Sequence, residues 1–186
     1  MNLEAQLAEL ASCGLTLDPG ITIDDVLYSF DRAAYENKPF DLLLFVFGAE
    51  VEREPWGRPF SSRVWNFDTE CVSGKGSYVK IVKRLARVAG TPERLSDVRD
   101  AVDLDIGEAW LEYTVDGQQR HWDIEVNDDW ADMMVVSYVM ADLEAGGRRF
   151  YSKDNGQAMV LYYLDEAAAA RLNRLSKNAL KPVLAV

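Results

Sequence analysis

Two dipeptides constrain this chain more than any other feature. Asp116-Gly117 and Asn155-Gly156 each lie between short runs rich in strand formers. Ala109 to Thr114 and Gln119 to Val126 flank the first, and Arg149 to Ser152 and Ala158 to Leu164 flank the second. Asp-Gly and Asn-Gly favour the primed two-residue turns whose twist matches that of paired strands, so both places predict β-hairpins. Helical patterns occupy most of the remaining length. Hairpins mixed with helices, and few βαβ units, predict an α+β fold: a mainly antiparallel sheet built from hairpins at about 109–126 and 149–164, packed by four to five helices. No repeat, low-complexity stretch or Gly/Ser linker interrupts the 186 residues, which read as a single globular domain, 1–186.

The clearest helix runs from Ser77 to Ala89. Tyr78, Ile81, Val82, Leu85, Val88 and Ala89 recur at helical spacing, with Lys80, Lys83, Arg84 and Arg87 opposite them. Near the N-terminus, Leu3, Leu7 and Leu10 share one face of a helix that Gly14 would stop. A second helix is expected from Thr22, as cap, to Pro39, with Val26, Leu27, Phe30 and Ala34 as its apolar stripe. Asp129 to Leu143, capped by Asn127 or Asp128, reads as a helix buried nearly all round, and Asp165 to Lys177 as a final one. Asp41 to Phe47 is uniformly apolar after its first residue and reads as a central strand covered on both faces. Val64 to Cys71 alternates like a strand with Trp65, Phe67 and Cys71 on its apolar side, whereas Leu95 to Leu104 has no decisive pattern.

Charge limits the partners. There are 31 acidic against 20 basic residues, a net of −11, and residues 1–62 hold 11 acidic side chains against 4 basic ones. Such a surface repels phosphate backbones, so nucleic acid is an unfavourable partner. No stretch approaches the roughly 18 apolar residues of a membrane-spanning helix. With two cysteines, Cys13 and Cys71, expected as buried thiols rather than a disulfide, and no signal peptide at the start, a cytoplasmic location is expected.

Three groups of residues invite a chemical reading. Gly74, Lys75, Gly76 and Ser77, with Lys80 beyond them, lie at a strand-to-helix junction where backbone amides can hold an anion. The Walker pattern is not met, because Thr69 stands in place of its first glycine and Gly76 in place of its Ser/Thr. His121, Asp123 and Glu125 alternate along one strand face, and Asn66, Asp68 and Glu70 along another. Were the rows adjacent, a divalent metal could be held and activate water. Asp103-Leu-Asp105-Ile-Gly107 has the start of a calcium loop but lacks its later ligands, and reads as a turn. His121 is the single histidine, no Gly-x-Ser-x-Gly elbow is present, and nothing calls for a cofactor.

The third group is the loop Glu50, Glu52, Arg53, Glu54, Trp56, Arg58 and Phe60, which combines aromatics and arginines in the manner of interface anchors. Trp56 could equally tuck into the core. Acidity and aromatics without a catalytic set favour a non-enzymatic protein-binding module that recognises a basic protein partner, as an immunity or inhibitor protein meets a basic toxin. The alternatives are a metal-dependent hydrolase or phosphate-handling enzyme at the His/carboxylate rows, and a structural subunit. The chain would be a monomer, or a homodimer covering the apolar helix Trp130 to Met140.

Overall fold

A computed structural model describes residues 1–183. Its strands form two antiparallel sheets rather than one. The first comprises β1 (Val64–Asp68), β5 (Arg148–Asn155), β6 (Ala158–Asp165) and β7 (Lys181–Pro182), ordered β1-β6-β5-β7. The second comprises β2 (Leu95–Asp103), β3 (Glu108–Val115) and β4 (Gln118–Ile124), in chain order. Both expected hairpins are present, one in each sheet, and the fold is α+β.

The two turns differ in detail. Val115 pairs with Gln118, and both Asp116 (φ 50°) and Gly117 (φ 77°) are left-handed, the sign pattern of a type I′ turn. In the other hairpin Asn155 itself pairs with Ala158, so the loop is Gly156-Gln157 with only Gly156 left-handed, as in type II′. The undecided stretch after Pro92 is strand β2. It bulges between Ser96 and Arg99, where Asp97 adopts a φ of 53°.

Helices α5 (Ser77–Ala89) and α6 (Met133–Leu143) lie between the sheets. The apolar stripe of α5 joins Val135, Val136, Val139, Met140 and Leu143 of α6 in one core with Phe67, Phe150, Leu161 and Tyr163 from the first sheet and Leu111, Tyr113 and Val115 from the second. The other face of the first sheet, through Val64, Tyr151, Val160, Tyr162 and Leu164, meets α1 (Leu3–Ser12), α3 (Arg32–Asn37), α4 (Asp41–Val46) and α7 (Glu166–Leu175). Strand β6 is therefore covered on both faces, with Leu161 and Tyr163 facing one core and Val160, Tyr162 and Leu164 the other.

That role was expected of Asp41 to Phe47, which is instead helix α4. Period alone cannot separate a short, wholly apolar strand from a buried helix, and here three leucines and the acidic N-terminal Asp41 favour the helix. Gly48 then lets the chain pass close against β1. Its carbonyl accepts from the Asn66 amide at 2.8 Å, and a Cβ there would stand 2.7 Å from that nitrogen.

The expected helix from Thr22 to Pro39 is two pieces, α2 (Ile23–Val26) and α3, because Asp31 caps a new start by accepting from the Ala34 amide at 2.9 Å. Tyr28 and Phe30, on the turn between them, are left exposed. Asp132, not Asn127 or Asp128, caps α6, accepting from Met134 at 2.9 Å and Val135 at 3.3 Å. The apolar residues of α6 are buried by their own chain, with Met134 outward. Strand β1 ends at Asp68, so the alternation stops short of Cys71, which is exposed while Cys13 is half-buried. Crowding about the Cys71 thiol, with repulsion from Asp68 and Asp129, still pushes it up to about 11, so it stays protonated at neutral pH. No helix among the described residues is long and apolar enough to cross a membrane.

Candidate functional site

The α5 N-terminus has the amides, free of helical partners, that an anion would need, but the protein fills the place itself. Asp100 of β2, 5% exposed, accepts from Gly76 at 2.6 Å, Tyr78 at 2.9 Å and Val79 at 3.1 Å. The Ser77 hydroxyl accepts from the Ser73 amide at 3.0 Å. The junction of Gly74, Lys75, Gly76 and Ser77 therefore serves to dock helix on strand, and an external phosphate would compete with a buried carboxylate. The sequence carried a signal for this. Asp100 falls between Val98 and Val102 on the face of β2 that turns inward, where a carboxylate needs donors.

The two carboxylate rows do not meet. His121 and Asp123 are on β4 and Glu125 follows it, in the second sheet, whereas Asp68 ends β1 in the first and Glu70 bridges to Trp130. Among the described residues no group of three or more His, Cys, Asp or Glu is placed to hold a metal ion. On the outer face of the second sheet, Arg99, Glu112 and His121 stand side by side across β2, β3 and β4. The His121 Nδ1 lies 2.9 Å from Glu112 and its Nε2 3.3 Å from Asp123, with Trp110 stacked beside the ring. These contacts, Glu112 first, raise the His121 pKa above its ordinary value. The row is a cross-strand ion-pair ladder of the kind that stabilises an exposed face.

The loop from Glu50 to Phe60 is held at both ends. Val51 donates to Arg58 at 2.8 Å, Phe60 donates to Ala49 at 3.1 Å, and the Val51 and Phe60 side chains are in the core. Phe60 thus tethers the loop rather than meeting a partner. Between these ends the two arginines turn back. Arg53 donates from Nε to Asp25 Oδ1 at 2.9 Å, and Arg58 reaches the same oxygen at 3.3 Å. Asp25 is 4% exposed. Its carboxyl is lowered to about 2, first by the Thr22 amide, with Arg53 and the Thr22 hydroxyl adding to this against the opposing effect of burial.

With both arginines paired to Asp25, Glu50, Glu52 and Glu54 are the exposed charged residues of the loop, beside a partly exposed Arg53. Trp56 stands among them at 68% exposed, and Tyr28, which carries Arg53 5.4 Å over its ring, is 57% exposed. Ser29 donates to Glu52 and ties the turn of Tyr28 and Phe30 to the loop. Neither Tyr28 nor Phe30 was expected here, because the continuous helix read from Thr22 placed Phe30 in its buried stripe. Asp31, a capping residue inside the expected helix, was the available signal for a break and a new start. No family model matches the chain, and neither a curated protein nor a solved structure matches it.

Proposed function

We propose that this chain is a non-enzymatic binding module that docks on a basic protein through the face formed by Trp56, Tyr28 and the glutamates of the 50–60 loop, as an immunity or inhibitor protein would. One observation carries the reading: Asp25 holds both loop arginines, so the exposed aromatics are left among the outward glutamates Glu52 and Glu54. Exposed Trp and Tyr supply contact area at low entropic cost, and surrounding charge speeds encounter with an oppositely charged partner. The braced loop holds this face in place before a partner arrives, which lowers the ordering cost of binding.

Affinity capture from the source cell at low and moderate salt tests the reading, with the retained protein identified by mass spectrometry and its affinity then measured. One basic protein should be held in stoichiometric amount and released as salt rises. Trp56→Ala should weaken it about 30-fold or more, the size of an interface hot spot. Glu52→Lys with Glu54→Lys should chiefly slow association. Capture of nothing, or of a partner indifferent to all three changes, would overturn the proposal.

A further inference from the structure

A second surface has the opposite chemistry. Beside α5, on its solvent side, runs a groove of about 590 Å³ between the helix and β1, closed at one end by the chain after α4. Lys80, Arg84 and Arg87 line it from the helix, and Trp65 and Asn66 from the strand.

Acidic side chains outnumber basic ones by 31 to 20, yet the cations here go unpaired. Of the fifteen cations elsewhere, nine have a carboxylate within salt-bridge distance, among them Arg32, Arg53, Arg58, Arg94, Arg99 and Arg120. Among the described residues, Lys75, Lys80, Lys83, Arg84 and Arg87 have none. The deepest of these is Arg84, half-buried where Lys80 and Arg87 are exposed. Burial, and then the neighbouring Arg87, lower its pKa against the opposing pull of Glu50 and Asp18, neither of which is within salt-bridge distance. Its guanidinium gives one hydrogen bond, from Nη2 to the Val64 carbonyl at 3.3 Å, out of the five it can donate. The remaining fork suits a phosphate, which it can grip with two parallel bonds. Trp65, tilted on Phe67 at 4.6 Å between ring centres, gives the groove a flat apolar wall.

We infer that this groove binds a small organic phosphate bearing a planar group, with Arg84, Lys80 and Arg87 on the phosphate and Trp65 against the plane. The volume lies within the range of small-ligand sites. A half-buried guanidinium is more accessible to a small ligand than to the flatter face of a protein, and the acidic surface beyond the groove repels a long polyanion. Glu50, also in the lining, opposes further negative charge and favours a single phosphate. The groove reaches Ser77 at the start of α5, but the amides there are held by Asp100, so the site rests on its side chains.

Calorimetric titration of the full chain with a nucleoside monophosphate, and separately with inorganic phosphate, tests it. The nucleotide should bind saturably at one site and at least tenfold more tightly than phosphate. Arg84→Gln should weaken both probes tenfold or more. Trp65→Phe should weaken the nucleotide while leaving phosphate unchanged. Lys83→Gln removes the same charge from α5 outside the groove and should alter neither by more than twofold, with circular dichroism confirming that each variant is folded. No saturable binding, or an equal loss from Lys83→Gln and Arg84→Gln, would overturn the site. Equal affinity for the two probes would overturn the organic phosphate as its ligand.

Discussion

Asp25 and Asp100 show how an acidic chain uses buried carboxylates: Asp100 replaces water with three backbone amides, and Asp25 with one amide, the Thr22 hydroxyl and two arginines. The folded pKa of Asp25, about 2, lies below its ordinary value of 3.8, so the charged form is the stabilised one. Its contribution is complete above pH 4 and drains away as pH falls towards 2, to the extent of about 2 kcal/mol. Denaturant unfolding of the wild type and of Asp25→Asn across this range should show two curves that converge in acid. A gap that stays constant down to pH 2 would mean that the carboxyl is not held ionised. The capping partner Thr22 could be read from the sequence because it is three residues away. The arginines could not, since only the folded loop returns them to Asp25.

At the scale of elements, legibility followed length and amphipathicity. Helix α5 could be read residue by residue, because thirteen positions sort into one apolar and one cationic face. Six residues of α4 could not, since every position after Asp41 is apolar and no face is distinguished. What begins α5 was only faintly signalled, because Gly76 offers no side chain to cap it and the acceptor Asp100 comes from β2, a strand whose own pattern was undecided. Asp100→Ala should therefore cost about 3 kcal/mol, the scale of a charged cap removed from buried amides. Chemical denaturation would measure the loss. Hydrogen exchange should also quicken first at Tyr78 and Val79, and unchanged protection there would show that the carboxylate is dispensable to the helix.

Across the whole molecule, the two sheets are unequal. The first is covered on both faces and centred on β6, whereas the second buries one face and presents its ion-pair ladder to water. Amide exchange in β6 should require global unfolding, and exchange in β4, an edge strand on a wet face, should proceed through smaller openings. Equal protection of the two strands would contradict this layering. That the hairpins join different sheets was not readable, because turn chemistry specifies each hairpin alone: β5 and β6 take β1 from far back along the chain, whereas β3 and β4 take the adjoining β2, whose pattern was undecided.

The long-range pairing of β6 also bears on synthesis. The amino-terminal core, including Leu3, Tyr35, Phe40 and Phe47, is completed by Val160, Tyr162, Leu164 and Leu172. While the ribosome is still translating the middle of the message, those early helices have no sheet to lie on. The nascent chain therefore carries an uncovered apolar surface until β6 has been joined, and a general chaperone has its longest opportunity to bind there.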